Sequence, residues 1–158
     1  VVRADKNSFG TGTGGSVTLT ANNGSIAMDN LALVSASTTG SGQGGSVVVR
    51  TIGGGSLAMT NGSRIEAQSQ GEGAPGSIQL EAPDITISGS ALWGGEPLFS
   101  GLYVSAENQN TAQGGSITIN SAANRGNRLV ISDGAVLGAL NRSVNPGGNI
   151  TIDVNDVQ

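Results

Sequence analysis

The sequence of 158 residues contains no cysteine and no histidine. These absences exclude disulfides, thiol nucleophiles, histidine general bases and the common zinc sites. Aromatic residues make up only 3% of the chain and charged residues only 11%, so large core side chains and charged helix surfaces are scarce. No apolar run approaches the roughly 20 residues of a membrane-spanning helix, and we expect neither membrane insertion nor a cofactor.

Positive charge is also scarce. Seven Lys and Arg residues stand against eleven Asp and Glu residues, which gives a net charge of −4. Nucleic acid binding depends on Lys and Arg neutralising phosphates. We therefore expect no nucleic acid partner.

Glycine is abundant, with 27 residues, and it recurs in one short motif. The stretches GGSVTL, GGSVVV, PGSIQL, GGSITI and GGNITI each join two small residues, a hydroxyl or amide, and a short apolar alternation. The gaps between successive motifs are 30, 31, 39 and 33 residues, measured between the anchor residues Ser16, Ser46, Ser77, Ser116 and Asn149. A period of this size indicates a solenoid.

Each repeat divides into three segments in which apolar residues alternate with small or polar ones. This alternation is typical of strands with one buried face. Connections of constant length predict that equivalent strands lie over one another, running the same way, about 4.8 Å apart. We therefore predict an all-β parallel β-helix of about five coils of three short strands, forming one domain over residues 1–158.

Stacked coils should form ladders of like side chains. The predicted ladders are Val17, Val47, Ile78, Ile117 and Ile150 in the first segment; Met28, Met59, Ile87 and Ile131 in the second; and Ala36, Ala67, Ala106 and Ala139 in the third. Glycines are expected to supply the positive φ of sharp corners, as in Asn61-Gly62 and Asp133-Gly134. Val1 is expected in a third strand and Val154 in a first strand, so both ends would be open for further coils or other copies.

The repeat stretch GGSVVVRTIGGGSLAMTNGSRIEAQSQGEGAPGSIQL resembles the repeat region of filamentous-haemagglutinin-like exoproteins of the two-partner secretion pathway, particularly those with cyanobacterial GGxI-type repeats. The resemblance covers nearly the whole chain. It implies a right-handed β-helix, export through an outer-membrane secretion partner, and a secreted or cell-surface location in a Gram-negative-type bacterium.

One coil carries an insertion. Residues 88–103 are expected to form a surface loop in the third coil, centred on ALWGGEPLFSG. Insertions in solenoids map to surface loops and often to a binding face. Trp93, Phe99 and Tyr103 could stack on sugar rings with Glu96 orienting the ligand, or the aromatic rings could fold back on the solenoid.

Carboxylates are candidate catalysts, because paired Asp or Glu residues on adjacent coils could cleave polysaccharides. Glu81 and Asp153 would lie two coils apart, and a surface ion pair between Arg50 and Glu81 is expected instead. The sequence favours a structural and adhesive extracellular solenoid segment that extends or stacks into a fibre. The alternatives are a glycan-binding module that uses the inserted loop and a polysaccharide-active enzyme.

Overall fold

The computed structural model describes residues 1–5, 10–106, 113–121, 124–142 and 145–158. Within these ranges the regular structure consists of 17 β-strands and no helix. Three parallel sheets of five strands each and one antiparallel pair contain all of the named strands. The predicted all-β parallel solenoid of about five turns is confirmed.

The three parallel sheets are named after the three segments of the repeat. The first-segment sheet contains β2 (Ser16–Asn22), β5 (Ser46–Ile52), β8 (Ser77–Glu81), β13 (Ser116–Ile119) and β16 (Asn149–Ile152). The second-segment sheet contains β3 (Ile26–Met28), β6 (Leu57–Met59), β9 (Asp84–Ser88), β14 (Gly126–Ser132) and β17 (Val154–Val157). The third-segment sheet contains β1 (Val2–Arg3), β4 (Leu33–Ser35), β7 (Arg64–Glu66), β12 (Gly101–Ala106) and β15 (Val136–Asn141). The antiparallel pair consists of β10 (Ser90–Trp93) and β11 (Glu96–Phe99).

The first two ladders have the predicted register. Ile78 pairs in parallel with Val47 on one side and with Ile117 on the other, and Ile117 pairs with Ile150. In the second-segment sheet, Met59 pairs with both Met28 and Ile87. β-branched and long apolar side chains thus stack coil over coil, and this stacking fills the interior.

The glycines of the GGS corner are explained by close backbone approach and not by positive φ. A side chain at Gly76 would overlap the carbonyl oxygen of Gly45 one coil earlier, and one at Gly45 would overlap that of Gly15. The expected positive φ does occur at the other corner, where Gly62 and Gly134 have φ of 79° and 82°. The two kinds of corner therefore require glycine for different reasons.

The predicted alanine ladder is wrong in the third coil. Leu102 pairs with Ile65, and Val104 pairs with Ala139, so Val104 occupies the position assigned to Ala106. Ala106 instead bridges to Ser69. A shift of two residues keeps the same side chains facing inwards, and the alternation therefore could not detect it.

The last coil also differs from the prediction at one point. Val154 lies in β17, which pairs with β14 of the second-segment sheet, and not in a first strand. Only Asp153 separates β17 from the end of β16 at Ile152. The corner here is too short to be recognised from the apolar alternation, which runs on across it.

Candidate functional site

The inserted segment forms an ordered β-hairpin. β10 and β11 pair antiparallel, with Trp93 opposite Glu96 and a Gly94-Gly95 turn between them. Both turn glycines have positive φ, 59° and 90°, as a two-residue hairpin turn of the primed type requires. Residues 88–103 were expected to form a surface loop, but the hairpin covers only residues 90–99, and residues 101–103 already belong to β12 of the third-segment sheet.

The base of the hairpin is held by the coils on either side of it. The Ser100 hydroxyl accepts a hydrogen bond of 3.0 Å from the Gly62 amide in the second coil. On the opposite side, the Phe99 ring lies against Gly134 of the fourth coil. A Cβ added at Gly134 would be only 2.7 Å from the Cε1 atom of Phe99. The Tyr103 hydroxyl donates to the carbonyl oxygen of Phe99 at 3.1 Å. Contacts on both sides fix the orientation of the hairpin.

The four predicted binding residues therefore divide into two groups. Phe99 and Tyr103 belong to the base and hold the hairpin in place. Trp93 and Glu96 belong to the tip, where the Trp93 residue is 66% exposed and Leu92 beside it is 73% exposed. Leu92 is not among the four predicted binding residues, although it lies in the apolar stretch ALW of the insertion. The tip presents an indole, an aliphatic side chain and a carboxylate to solvent.

A charged cluster lies beside the hairpin base on the outer face of the third-segment sheet. Tyr103 pairs in register with Glu66. Glu66 forms an ion pair with Arg64, with 2.8 Å between Glu66 Oε1 and Arg64 Nη1. Burial raises the pKa of Glu66, and the nearby Arg64 charge opposes this effect. Burial also raises the pKa of Tyr103. Both groups therefore favour their neutral forms more than they would in water.

Interior ladder positions become exposed in the last coil. Ile117 and Ile119 of β13 are fully buried, with 0% exposure, whereas Ile150 and Ile152 of β16 are 42% and 39% exposed. β16 is the outer strand of the first-segment sheet, and its outer backbone groups face away from the coil stack. In the described residues the outer edge of β16 therefore presents apolar side chains and strand backbone groups.

The candidate catalytic carboxylates, Glu81 and Asp153, have other partners. Arg50 and Glu81 are in register, but Arg50 Nε donates to the Thr20 hydroxyl at 3.1 Å, and Glu81 accepts from Gln79 at 2.7 Å. The expected ion pair between Arg50 and Glu81 is therefore wrong. Asp153 is instead ion-paired with Arg125 at 2.7 Å.

The described ranges contain no group of three or more Asp and Glu side chains placed to hold a metal ion. Those ranges also contain no helix long and apolar enough to cross a membrane. Comparison of the chain with known protein families, curated proteins and solved structures finds no match.

Proposed function

We propose that this chain is a structural and adhesive segment of an extracellular β-solenoid, which extends along its axis by stacking coil on coil into a fibre. The observation that carries the proposal is the exposure of the Ile150 and Ile152 ladder positions, whose equivalents one coil earlier are fully buried. Covering these side chains with another coil would continue the ladders and pair the outer backbone groups of β16.

The two ends have matching sets of strands. One end carries β15, β16 and β17, and the other carries β1, β2 and β3, so each of the three sheets has one outer strand at each end. A second copy placed on the axis would continue all three parallel sheets. Such a head-to-tail contact does not close on itself, and repeated contacts would therefore produce a filament.

The location belongs to the proposal as well. Its support is the resemblance of the GGS repeats to two-partner secretion exoproteins. We propose export through an outer-membrane partner to the surface or surroundings of a Gram-negative-type bacterium. The same resemblance supports filamentous-haemagglutinin-like membership and a right-handed coil.

Sedimentation velocity over a concentration series, with electron microscopy of the most concentrated sample, tests the axial stacking. We expect concentration-dependent, elongated species that are lost in Ile150→Lys, because the substitution places a charge at the end contact. Ile52→Lys is the matched control, since Ile52 is 48% exposed but lies at a corner of the second coil. A monomer at every concentration would contradict the proposal, and so would equal loss of association in both variants.

A second candidate is glycan binding by the hairpin tip. Its specific support is the exposed Trp93 ring, which lies opposite Glu96 on a hairpin with a fixed base. An indole face and a carboxylate can stack on and hydrogen-bond a sugar. Loss of glycan-array binding in Trp93→Ala at unchanged thermal stability would support this candidate, and an empty array with the intact protein would exclude it. Catalysis by Glu81 and Asp153 is not part of the proposal.

A further inference from the structure

The corner between the first and second strands has a different length in each coil. In the third coil only residues 82–83 separate β8 from β9. The same corner contains residues 53–56 in the second coil, and in the fourth coil β13 ends at Ile119 and β14 begins only at Gly126. The third coil is therefore recessed between two longer corners. This recess, which we call the notch, has a volume of about 480 Å³.

Side chains with unused hydrogen-bonding capacity line the notch. Asn124 and Asn127 on the fourth-coil wall are exposed, and neither amide side chain bonds to another described residue. On the floor, Glu81 uses Oε1 to accept from Gln79, which leaves Oε2 without a partner among the described residues. Arg125 is ion-paired with Asp153 through Nε at 2.7 Å. The notch therefore offers both donors and acceptors.

The charge of the notch restricts the class of ligand. The charged lining residues are Glu81 and Arg125, and Arg125 is already ion-paired with Asp153, which leaves Glu81 as the lining charge without an ionic partner. A carboxylate in this position disfavours phosphate, sulfate and uronate groups. Among the described lining residues there is no aromatic ring on which a nucleobase could stack, and the apolar contribution is limited to Ile52, Ala82 and Pro83.

A neutral sugar matches the remaining chemistry. Each sugar hydroxyl both donates and accepts, and it can pair with carboxylate, amide and guanidinium groups without bringing a charge of its own. The volume of the notch lies within the range of about 300 to 1,000 Å³ that is typical of small-molecule sites. We propose that the notch binds one unit of a neutral saccharide through Glu81, Asn124, Arg125 and Asn127. This site is separate from the hairpin tip, and it does not depend on end-to-end stacking.

Titration of the ¹⁵N-labelled chain with three pyranosides tests the site and its ligand class together. The probes are methyl N-acetylglucosaminide, methyl glucosaminide and methyl glucuronide at pH 6, which are neutral, cationic and anionic forms of related rings. Methyl galactoside and methyl mannoside extend the neutral set. Asn124→Ala and Asn127→Ala assign the two side-chain amide signals. We expect a neutral glycoside to shift both signals with a Kd on the order of 1 mM, and the glucuronide to bind at least about tenfold more weakly.

The variants separate the notch from other surfaces. Asn127→Ala should weaken binding at least about tenfold without altering the fold, because the backbone amide of Asn127 bonds to the Pro83 carbonyl and its side chain bonds to no described residue. Asn149→Ala, an exposed amide at the GGS corner, and Trp93→Ala should bind normally. The proposal is overturned if no neutral probe binds at 50 mM, if a charged probe binds more tightly, or if Trp93→Ala abolishes binding while Asn127→Ala does not.

Discussion

Two positions of one ladder give a quantitative test of the open coil end. Ile117 and Ile150 are paired neighbours with the same side chain, but Ile117 is fully buried and Ile150 is 42% exposed. Ile117→Ala removes three buried carbons and leaves a cavity, and a loss of about 3 to 4 kcal/mol in the free energy of unfolding is expected. For Ile150→Ala, three carbons at ~0.8 kcal/mol each, scaled by the buried fraction, give about 1.4 kcal/mol with no enclosed cavity.

Urea denaturation followed by circular dichroism measures both losses. At about 1 μM protein the loss for Ile150→Ala should be roughly half of the loss for Ile117→Ala or less, since a frayed end coil would lower it further. At about 100 μM, stacking should bury Ile150 and move its loss towards that of Ile117. Equal losses at the lowest concentration would refute the open end. A loss for Ile150→Ala that does not depend on concentration would refute the stacking.

Two further predictions concern a glycine of the GGS corner and a buried carboxylate. Gly76→Ala should destabilise the fold by about 3 kcal/mol or more in the same denaturation assay, because its Cβ would overlap the Gly45 carbonyl. Gly24→Ala should be neutral or stabilising by up to about 1 kcal/mol, because its Cβ would meet only the Asn22 carbonyl oxygen, at 3.9 Å. Equal effects of the two substitutions would contradict the close approach of the backbones at Gly76. Burial raises the pKa of Glu66 above its usual 4.5, so the folded chain binds this proton more tightly than the unfolded chain, and stability should fall as the pH rises from 4.5 through the folded pKa. The melting temperature of the wild type minus that of Glu66→Gln should therefore decrease as the pH rises from 4 to 8. A difference that does not change with pH would contradict the raised pKa of Glu66.

The ladders could be predicted from the sequence because period and alternation act together. A repeat of about thirty residues places Ile78 over Val47, and alternation decides which side chains face inwards. Neither rule detects a shift of two residues, because such a shift keeps the same side chains facing inwards. The alanine ladder fails in the third coil because the connection to Ser116 is two residues longer than the corresponding connection in the other coils. The chain enters β12 at Gly101, directly after the hairpin base, so Val104 and not Ala106 lies opposite Ala139.

The site could be predicted only in part. The insertion was visible as extra length with Trp93 and Phe99 in it, but the division between tip and base depends on Gly62 and Gly134 in neighbouring coils. Such contacts between coils leave no local pattern in the sequence. The notch arises from a difference in corner length between successive coils. That difference is readable from the wide spacing between Ile119 and Leu129, but its depth is visible only once the coils are stacked.

The parallel stacking of the coils also determines how the molecule would respond to mechanical load. Neighbouring coils are joined mainly by hydrogen bonds that run along the axis, so a pull on one terminus would break them one after another rather than all at once. Each released coil of roughly thirty residues would lengthen the chain by about 100 Å at 3.3 to 3.6 Å per residue. A tethered molecule would thus yield in successive steps, and the coils not yet reached would keep their shape.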